Sequence, residues 1–318
     1  MFLCCGDSLF DVFAETGEDV SRIDLQARIG GSALNAALGL ARLGHPVAFF
    51  GKISNDLYGR QLRAFMAAES IDQSFLIPTG RNTTLAMVSL SAAGVPQYSF
   101  YTEGTADRSV VPDEVPEALA PEVAAIHIGG SYTTVSEPTS LALSKLVAQE
   151  KDRLFISYDP NIRASIVPDL DVWRVKVAEF VASAALVKAS DEDLAQLYPN
   201  REIADVLGEW VSLGASLAVC TRGEKGAMAL SASGVSVSVD GVRVEVVDTV
   251  GAGDTFFAAM LSKLAEDGQM SREALAQFGR GDLEALIGFA VRAAAVTCGR
   301  RGADLPRRAD LGLAPLAR

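Results

Sequence analysis

Short apolar runs alternate with helical patterns along nearly the whole chain. Met1–Cys5 reads as a strand, Ser32–Leu43 as a helix that stops at Gly44, Val47–Phe50 as a strand and Tyr58–Ala68 as a helix. The alternation resumes with Ala124–Ile128, Pro138–Gln149, Leu154–Tyr158, Val172–Ala182, Ala185–Lys188, Ile203–Leu213 and Leu217–Thr221. Strands joined by helices run parallel through right-handed crossovers, so the rhythm predicts an α/β sandwich. Two stretches in the first third break it. Asp11–Ile29 has no clear helical face, and Thr84–Ser91 and Gln97–Tyr101 are strand-like around an Ala93-Gly94-Val95-Pro96 turn that reads as a hairpin. Strands inserted in such a frame form a flap over a site or an edge for pairing. A further β-rich patch covers Ala227–Leu230, Val235–Val239 and Val242–Val247. With no repeat or low-complexity linker, one domain over residues 1–318 is expected, carrying an insert at about 11–29 and 84–101.

Charge narrows the partners. Lys+Arg 28 against Asp+Glu 40 gives a net charge of −12. That field repels nucleic acid and anionic lipid, and no run approaches the ~20 apolar residues of a membrane span. Neither partner is expected, and any anionic ligand needs local dipoles and a few chosen cations. Cys4, Cys5, Cys220 and Cys298 form no C-x-x-C pair, and the adjacent Cys4 and Cys5 point to opposite faces of a strand. They read as buried thiols in a reducing cytosol. No basic region followed by a long apolar stretch opens the chain, so a cytoplasmic location is expected. His45 and His127 are the only histidines; they exclude a multi-histidine metal site and read as structural.

The richest chemistry lies in Asp248-Thr249-Val250-Gly251-Ala252-Gly253-Asp254-Thr255, which follows the β-rich patch and enters the apolar segment Phe256–Leu264. A glycine turn opening a helix lets backbone approach an anion, and the free N–H groups of the first helical turn point at it. Asp254 at the same helix start has two readings. It is a base that takes a hydroxyl proton while the neighbouring amides hold a phosphoryl group, or an ordinary capping carboxylate. Other phosphate and hydrolase signatures are absent: no P-loop, no strict G-x-G-x-x-G opening a helix, no protein-kinase H-R-D or D-F-G, and no G-x-S-x-G.

Two signatures together carry a family resemblance. They are Gly30-Gly31-Ser32-Ala33-Leu34-Asn35-Ala36-Ala37, continuing to Leu43-Gly44, and Asp248-Thr249-Val250-Gly251-Ala252-Gly253-Asp254. Supporting segments are Cys5–Asp11, Tyr98–Arg108, Asp159-Pro160-Asn161-Ile162-Arg163 and Thr221–Ala227. The chain resembles the ribokinase/PfkB carbohydrate kinases, the bacterial fructokinases in particular, over nearly its whole length. The resemblance implies a ribokinase-like three-layer sandwich, with a mostly parallel central sheet and a small β lid over the sugar. It implies ATP and Mg²⁺ as cofactors, with Asp254 as general base and the amides of Gly251, Ala252 and Gly253 as an anion hole.

By the same resemblance, Asp11, Gly31, Ser32, Asn35, Asp159, Asn161 and Arg163 face the sugar, and Thr221, Gly223, Gly226 and Thr249 the nucleotide. The family's N-x-x-E metal segment is replaced by Ser190-Asp191-Glu192-Asp193, which leaves Asp193 to reach a metal through water. Potassium beside the anion hole, at Asp248 and Val250, and a homodimer through the lid are further implications. The pocket candidates are polar and offer no aromatic platform for a base, which favours a small polyol over a nucleoside. The acceptor expected is D-fructose, phosphorylated on its 6-hydroxyl.

Overall fold

The computed structural model of the protein describes residues 1–16, 21–90 and 96–316. From the N-terminus the elements are β1 (Phe2–Gly6), β2 (Leu9–Thr16), β3 (Ile23–Gly30), α1 (Ser32–Arg42), β4 (Val47–Ser54), α2 (Leu57–Ala68), β5 (Leu76–Thr79), β6 (Thr84–Leu90) and β7 (Pro96–Tyr101). The middle runs β8 (Ala125–Gly129), α3 (Thr139–Glu150), β9 (Phe155–Asp159), α4 (Leu170–Ser183), β10 (Leu186–Ser190), α5 (Asp191–Leu197), α6 (Ile203–Leu213) and β11 (Leu217–Thr221). The last third holds β12 (Ala227–Ser231), β13 (Ser236–Val239), α7 (Ala252–Glu266), α8 (Arg272–Ala276) and α9 (Arg280–Cys298).

The large sheet has the order β13-β12-β11-β10-β9-β8-β1-β4-β5. Its strands from β5 to β11 pair in parallel, and β12 and β13 close one edge antiparallel. Central strands read as continuous apolar runs because both faces are covered. The period of two then sorts their side chains into two cores. Phe2 and Cys4 join Leu34, Phe257 and Leu283 on one side, while Leu3 and Cys5 join Leu143, Trp173 and Trp210 on the other. The adjacent cysteines thus face opposite layers, as the sequence predicts. Cys298 departs from that reading: it is only partly buried.

A second sheet, β3-β2-β6-β7, stands off the C-terminal end of β1. Within Asp11–Ile29, β2 and β3 pair antiparallel and residues 17–20 lie outside the described residues; β6 and β7 also pair antiparallel. The turn read at Ala93–Pro96 has its residues 93–95 outside the described residues. One expectation fails. Val242–Val247 alternates like a strand but forms none, and Val242, Val244, Val246 and Val247 stay exposed. Alternation supplies a face, not a ladder partner. Here β13 already ends the sheet, and the Val247 amide donates to the Cys298 carbonyl (2.8 Å) instead.

Parallel strands leave their C-terminal ends along one rim, where open α/β sheets hold ligands. Gly6 aligns with Gly129, Gly129 with Asp159, and Ser190 with Thr221. Helices α1 and α7 begin at this rim and cross further back at Gly39, where an added Cβ would lie 2.6 Å from the Ala258 Cβ and 2.8 Å from a Leu305 methyl. Helix propensity favours alanine over glycine by about 1 kcal/mol, yet Gly39→Ala is expected to destabilise the fold by about 1–3 kcal/mol through overpacking. Urea denaturation checks the sign. A stabilised variant would mean that the two helices separate freely.

Candidate active site

At the rim, Gly31 is the residue before α1 and has φ 109°, a conformation that side chains disfavour. An added Cβ there would sit 2.7 Å from the Asp7 carbonyl oxygen, so only glycine lets α1 start this close to the end of β1. Ser32 and Asn35 then fall on one face of the first helical turn. Across the rim, Gly251 adopts the left-handed conformation (φ 79°) and turns the chain into α7. The Ala252 amide folds back to the Thr249 carbonyl (3.2 Å). The Gly253 and Asp254 amides belong to the first turn and lack intrahelical acceptors.

The two helix starts meet at Asp254. Ser32 Oγ donates to Asp254 Oδ1 (3.0 Å), and Asn35 Nδ2 donates to Oδ2 (2.8 Å). Asn161 Nδ2 donates in turn to Ser32 Oγ (3.3 Å), from a backbone with φ 45°. Asp254 is buried, and burial raises its pKa against those two hydrogen bonds and the charges of Lys188 and Arg163. An ordinary helix-capping carboxylate sits at the surface and bonds its own helix; Asp254 is buried and bonds another helix, which sets it apart from such a cap.

The loop after β9 supplies the next layer. Asp159 Oδ2 pairs with Lys188 Nζ (2.8 Å), and both side chains are buried. Burial raises the Asp159 pKa to about 6, with Lys188 pulling the other way. Asp159 Oδ1 and Asn161 Oδ1 are buried oxygens without a hydrogen-bond partner among the described residues. Asp193 caps α5 with Ser190: its Oδ2 accepts from Ser190 N (3.0 Å) and Oγ (2.7 Å), and its Oδ1 accepts from Ile162 N (2.8 Å). It therefore ties the 159–163 loop to α5. Arg163 is exposed, and its charge lowers the pKa values of Asp7, Asp11 and Asp254.

Asp11 enters from β2 in the small sheet, where its Oδ2 would lie 2.4 Å from a Cβ on Gly30. Burial lifts its pKa to about 6, with the charges of Asp254 and Asp248 adding to the rise. Asp248 braces the glycine turn. Its Oδ1 accepts from Val250 N (3.1 Å) and its Oδ2 from Gly302 N (2.8 Å). Thr221, Gly223 and Gly226 form the turn after β11, one strand beyond Lys188, and Gly223 opens on empty space. The candidates thus fall into a hydrogen-bonded centre (Ser32, Asn35, Asn161, Asp254), a flanking ion pair, and a separate turn at the sheet's far side.

Sequence reasoning missed Lys188 and Asp7. The visible signal for Lys188 was a lone cation inside the apolar strand Leu186-Val187-Lys188-Ala189. Asp7 is buried beneath α1 and accepts from Ala33 N (3.1 Å).

A parallel sheet whose strand ends converge on a buried carboxylate at a glycine-opened helix is the architecture of a sugar-kinase fold. The chain matches the pfkB family carbohydrate kinases over residues 2–310. It is 34% identical to a fructokinase of Rhizobium leguminosarum bv. trifolii, over 87% of this chain and 83% of that one. It also superposes on a fructokinase from Xylella fastidiosa with bound ATP (TM-score 0.87, 23% identity, 98% and 96% of the two chains). An aminoimidazole riboside kinase from Salmonella enterica shares the fold as well (TM-score 0.79, 23% identity, 98% and 99% covered). This protein belongs to the pfkB family of carbohydrate kinases.

Burial raises the Asp7 pKa from 3.8 to about 8. The folded state therefore binds a proton that the unfolded chain releases, and this contribution to stability is lost as pH rises through that window. Asn at this position keeps the acceptor for Ala33 N and never ionises. Asp7→Asn should gain stability relative to wild type between pH 5 and pH 8, read by urea unfolding at both. A difference that does not change with pH would place the charge of Asp7 on another footing.

Proposed function

We propose that this kinase transfers the γ-phosphoryl group of ATP to the 6-hydroxyl of D-fructose, with Asp254 as general base. The observation that carries the reading is the pairing of a buried carboxylate with free amides at one helix start. Each Asp254 oxygen accepts one hydrogen bond, from Ser32 or Asn35, and keeps a second lone pair for an acceptor hydroxyl. As the hydroxyl oxygen bonds to the γ-phosphorus, its proton passes to Asp254 and the bond to the ADP oxygen breaks. The charge on the transferring group faces the amides of Gly251 and Gly253, dipoles fixed before the reaction starts. Ala252 contributes through the turn that its amide closes on Thr249.

The sugar would be held by Asp11, Gly31, Ser32, Asn35, Asn161 and Arg163. Asp11 accepts from two hydroxyls on the ring's far side, and Arg163 answers the surplus of carboxylates. Thr221, Gly223, Gly226 and Thr249 would leave room for the nucleotide. The small sheet, over Asp11–Ile29 and Thr84–Tyr101, would act as a lid that excludes water from the phosphoryl group, and its outer strands would offer a dimer edge. The fructokinases among the relatives support fructose as acceptor, and the polar character of the candidate residues Asp11, Ser32, Asn35 and Arg163 supports it over a nucleoside.

Magnesium fits the residues present. The unpartnered Oδ1 atoms of Asp159 and Asn161 can accept from waters on a hydrated cation, and Asp193, already bonded through both oxygens, would meet it only through water. No cluster of three or more His, Cys, Asp or Glu forms a cage among the described residues, so such an ion would rest mainly on nucleotide phosphates. Bound there, it would neutralise phosphate charge. Backbone carbonyls near Asp248 and Val250 would serve a potassium ion beside the turn.

Two measurements test the reading. Turnover of fructose, ribose, 2-keto-3-deoxygluconate and adenosine with ATP and magnesium should rank fructose first by kcat/KM, with phosphate on carbon 6. A higher value for another acceptor would replace fructose and leave phosphoryl transfer standing. Asp254→Asn should lower kcat by about 10²–10⁴-fold while ATP and sugar still bind. Near-native turnover in that variant would exclude Asp254 as the base.

A further inference from the structure

We propose that Lys188 is a phosphoryl-binding residue of this kinase and that Asp159 aims it. Lys188 is the middle residue of β10, 3% exposed between Val187 and Ala189, which are fully buried. A buried ammonium is costly, and replacing a buried ion pair with apolar residues is often neutral or stabilising. Stability alone therefore gives no reason for a lysine here.

The hydrogen-bond geometry supplies one. An ammonium carries three donors, and among the described residues only Asp159 Oδ2 (2.8 Å) accepts from it. The remaining donors lie beside the start of α7, where Nζ would be 3.0 Å from a Cβ on Gly253. Gly253 belongs to the helix turn whose amides face the transferring group. A Cβ there would press on the ammonium, so its absence leaves room between Lys188 and the same anion. Burial pulls the Lys188 pKa down, but the charge and hydrogen bond of Asp159, with the charges of Asp193 and Asp254, raise it on balance. In a chain of net charge −12 Lys188 is a cation fixed from beneath, while Arg163 is exposed to solvent. Asp159 Oδ1 has no partner among the described residues, so the pair is an open one there.

The inference rests on the phosphoryl-transfer reading, and its test separates the two. The probe is ADP with aluminium fluoride, which occupies the place of the transferring phosphoryl group, compared with ADP alone by calorimetry in the presence of magnesium and fructose. Lys188→Met should weaken binding of ADP with aluminium fluoride by about 10²–10³-fold, the loss typical of one such donor, and leave ADP alone unchanged. Lys188→Arg, which keeps the charge, should recover part of the loss. Met at 188 strands a buried carboxylate, so Lys188→Met combined with Asp159→Leu is measured beside it; the apolar pair should fold and still bind aluminium fluoride weakly. Full affinity in the double variant, or equal losses for both ligands in Lys188→Met, would overturn the role of Lys188. Wild-type protein that ignores aluminium fluoride would overturn the phosphoryl-binding reading along with it.

Discussion

The contact between Asp254 and the first turn of α1 organises the rim of this molecule. A buried carboxylate is costly unless it is hydrogen-bonded. Here both donors, Ser32 and Asn35, come from a different helix. That requirement fixes the separation of α1 and α7, which in turn demands a residue without a side chain where they cross, at Gly39. The same requirement fixes the direction in which each helix begins, through the left-handed turn at Gly251 and the close approach at Gly31. The hydrogen bonds at the rim and the packing of the core are in this sense one arrangement seen at two depths.

Carboxylates around the rim differ in how fully they are satisfied. Asp107 is buried and accepts from Thr84 (2.6 Å), Thr105 (2.9 Å) and the Tyr132 hydroxyl, so it closes a joint between β6 and the core. Asp193 is closed in the same way around Ser190 and the Ile162 amide. Asp159 is open, with one oxygen on Lys188 and the other without a partner among the described residues. Closed carboxylates hold parts of the chain together. Open ones leave bonding capacity in a place from which water is largely excluded, and that is where a ligand gains most.

Much of this was legible in the residues. The alternation of apolar runs and helical spacing carried the parallel sheet, since each crossover needs a helix and each buried strand an apolar run. The Asp248–Asp254 turn carried the helix start and its carboxylate. Three features were not legible. Val242–Val247 has the alternation of a strand, but whether a strand forms depends on a free sheet edge, which is a property of the assembled fold. Lys188 was hidden because a lysine ending an apolar run looks like a strand terminus; only the partner Asp159, 29 positions away, reveals a buried pair. Ser190-Asp191-Glu192-Asp193 looks like a metal segment, yet the same spacing also makes a capping box, and Asp193 is engaged as one.

The hairpin of β2 and β3 leaves the core and returns to it at one point, because Leu9 lies opposite Gly30 in the register. Only Asp7 and Ser8 separate it from β1, and Gly31 alone separates it from α1. A segment whose two ends meet this closely behaves as a cassette. Changes within its strands leave the core strands aligned and the hydrogen bonds of Asp254 in place. The frame can therefore absorb changes in the segment that carries Asp11 without disturbing the helix starts at Ser32 and Ala252.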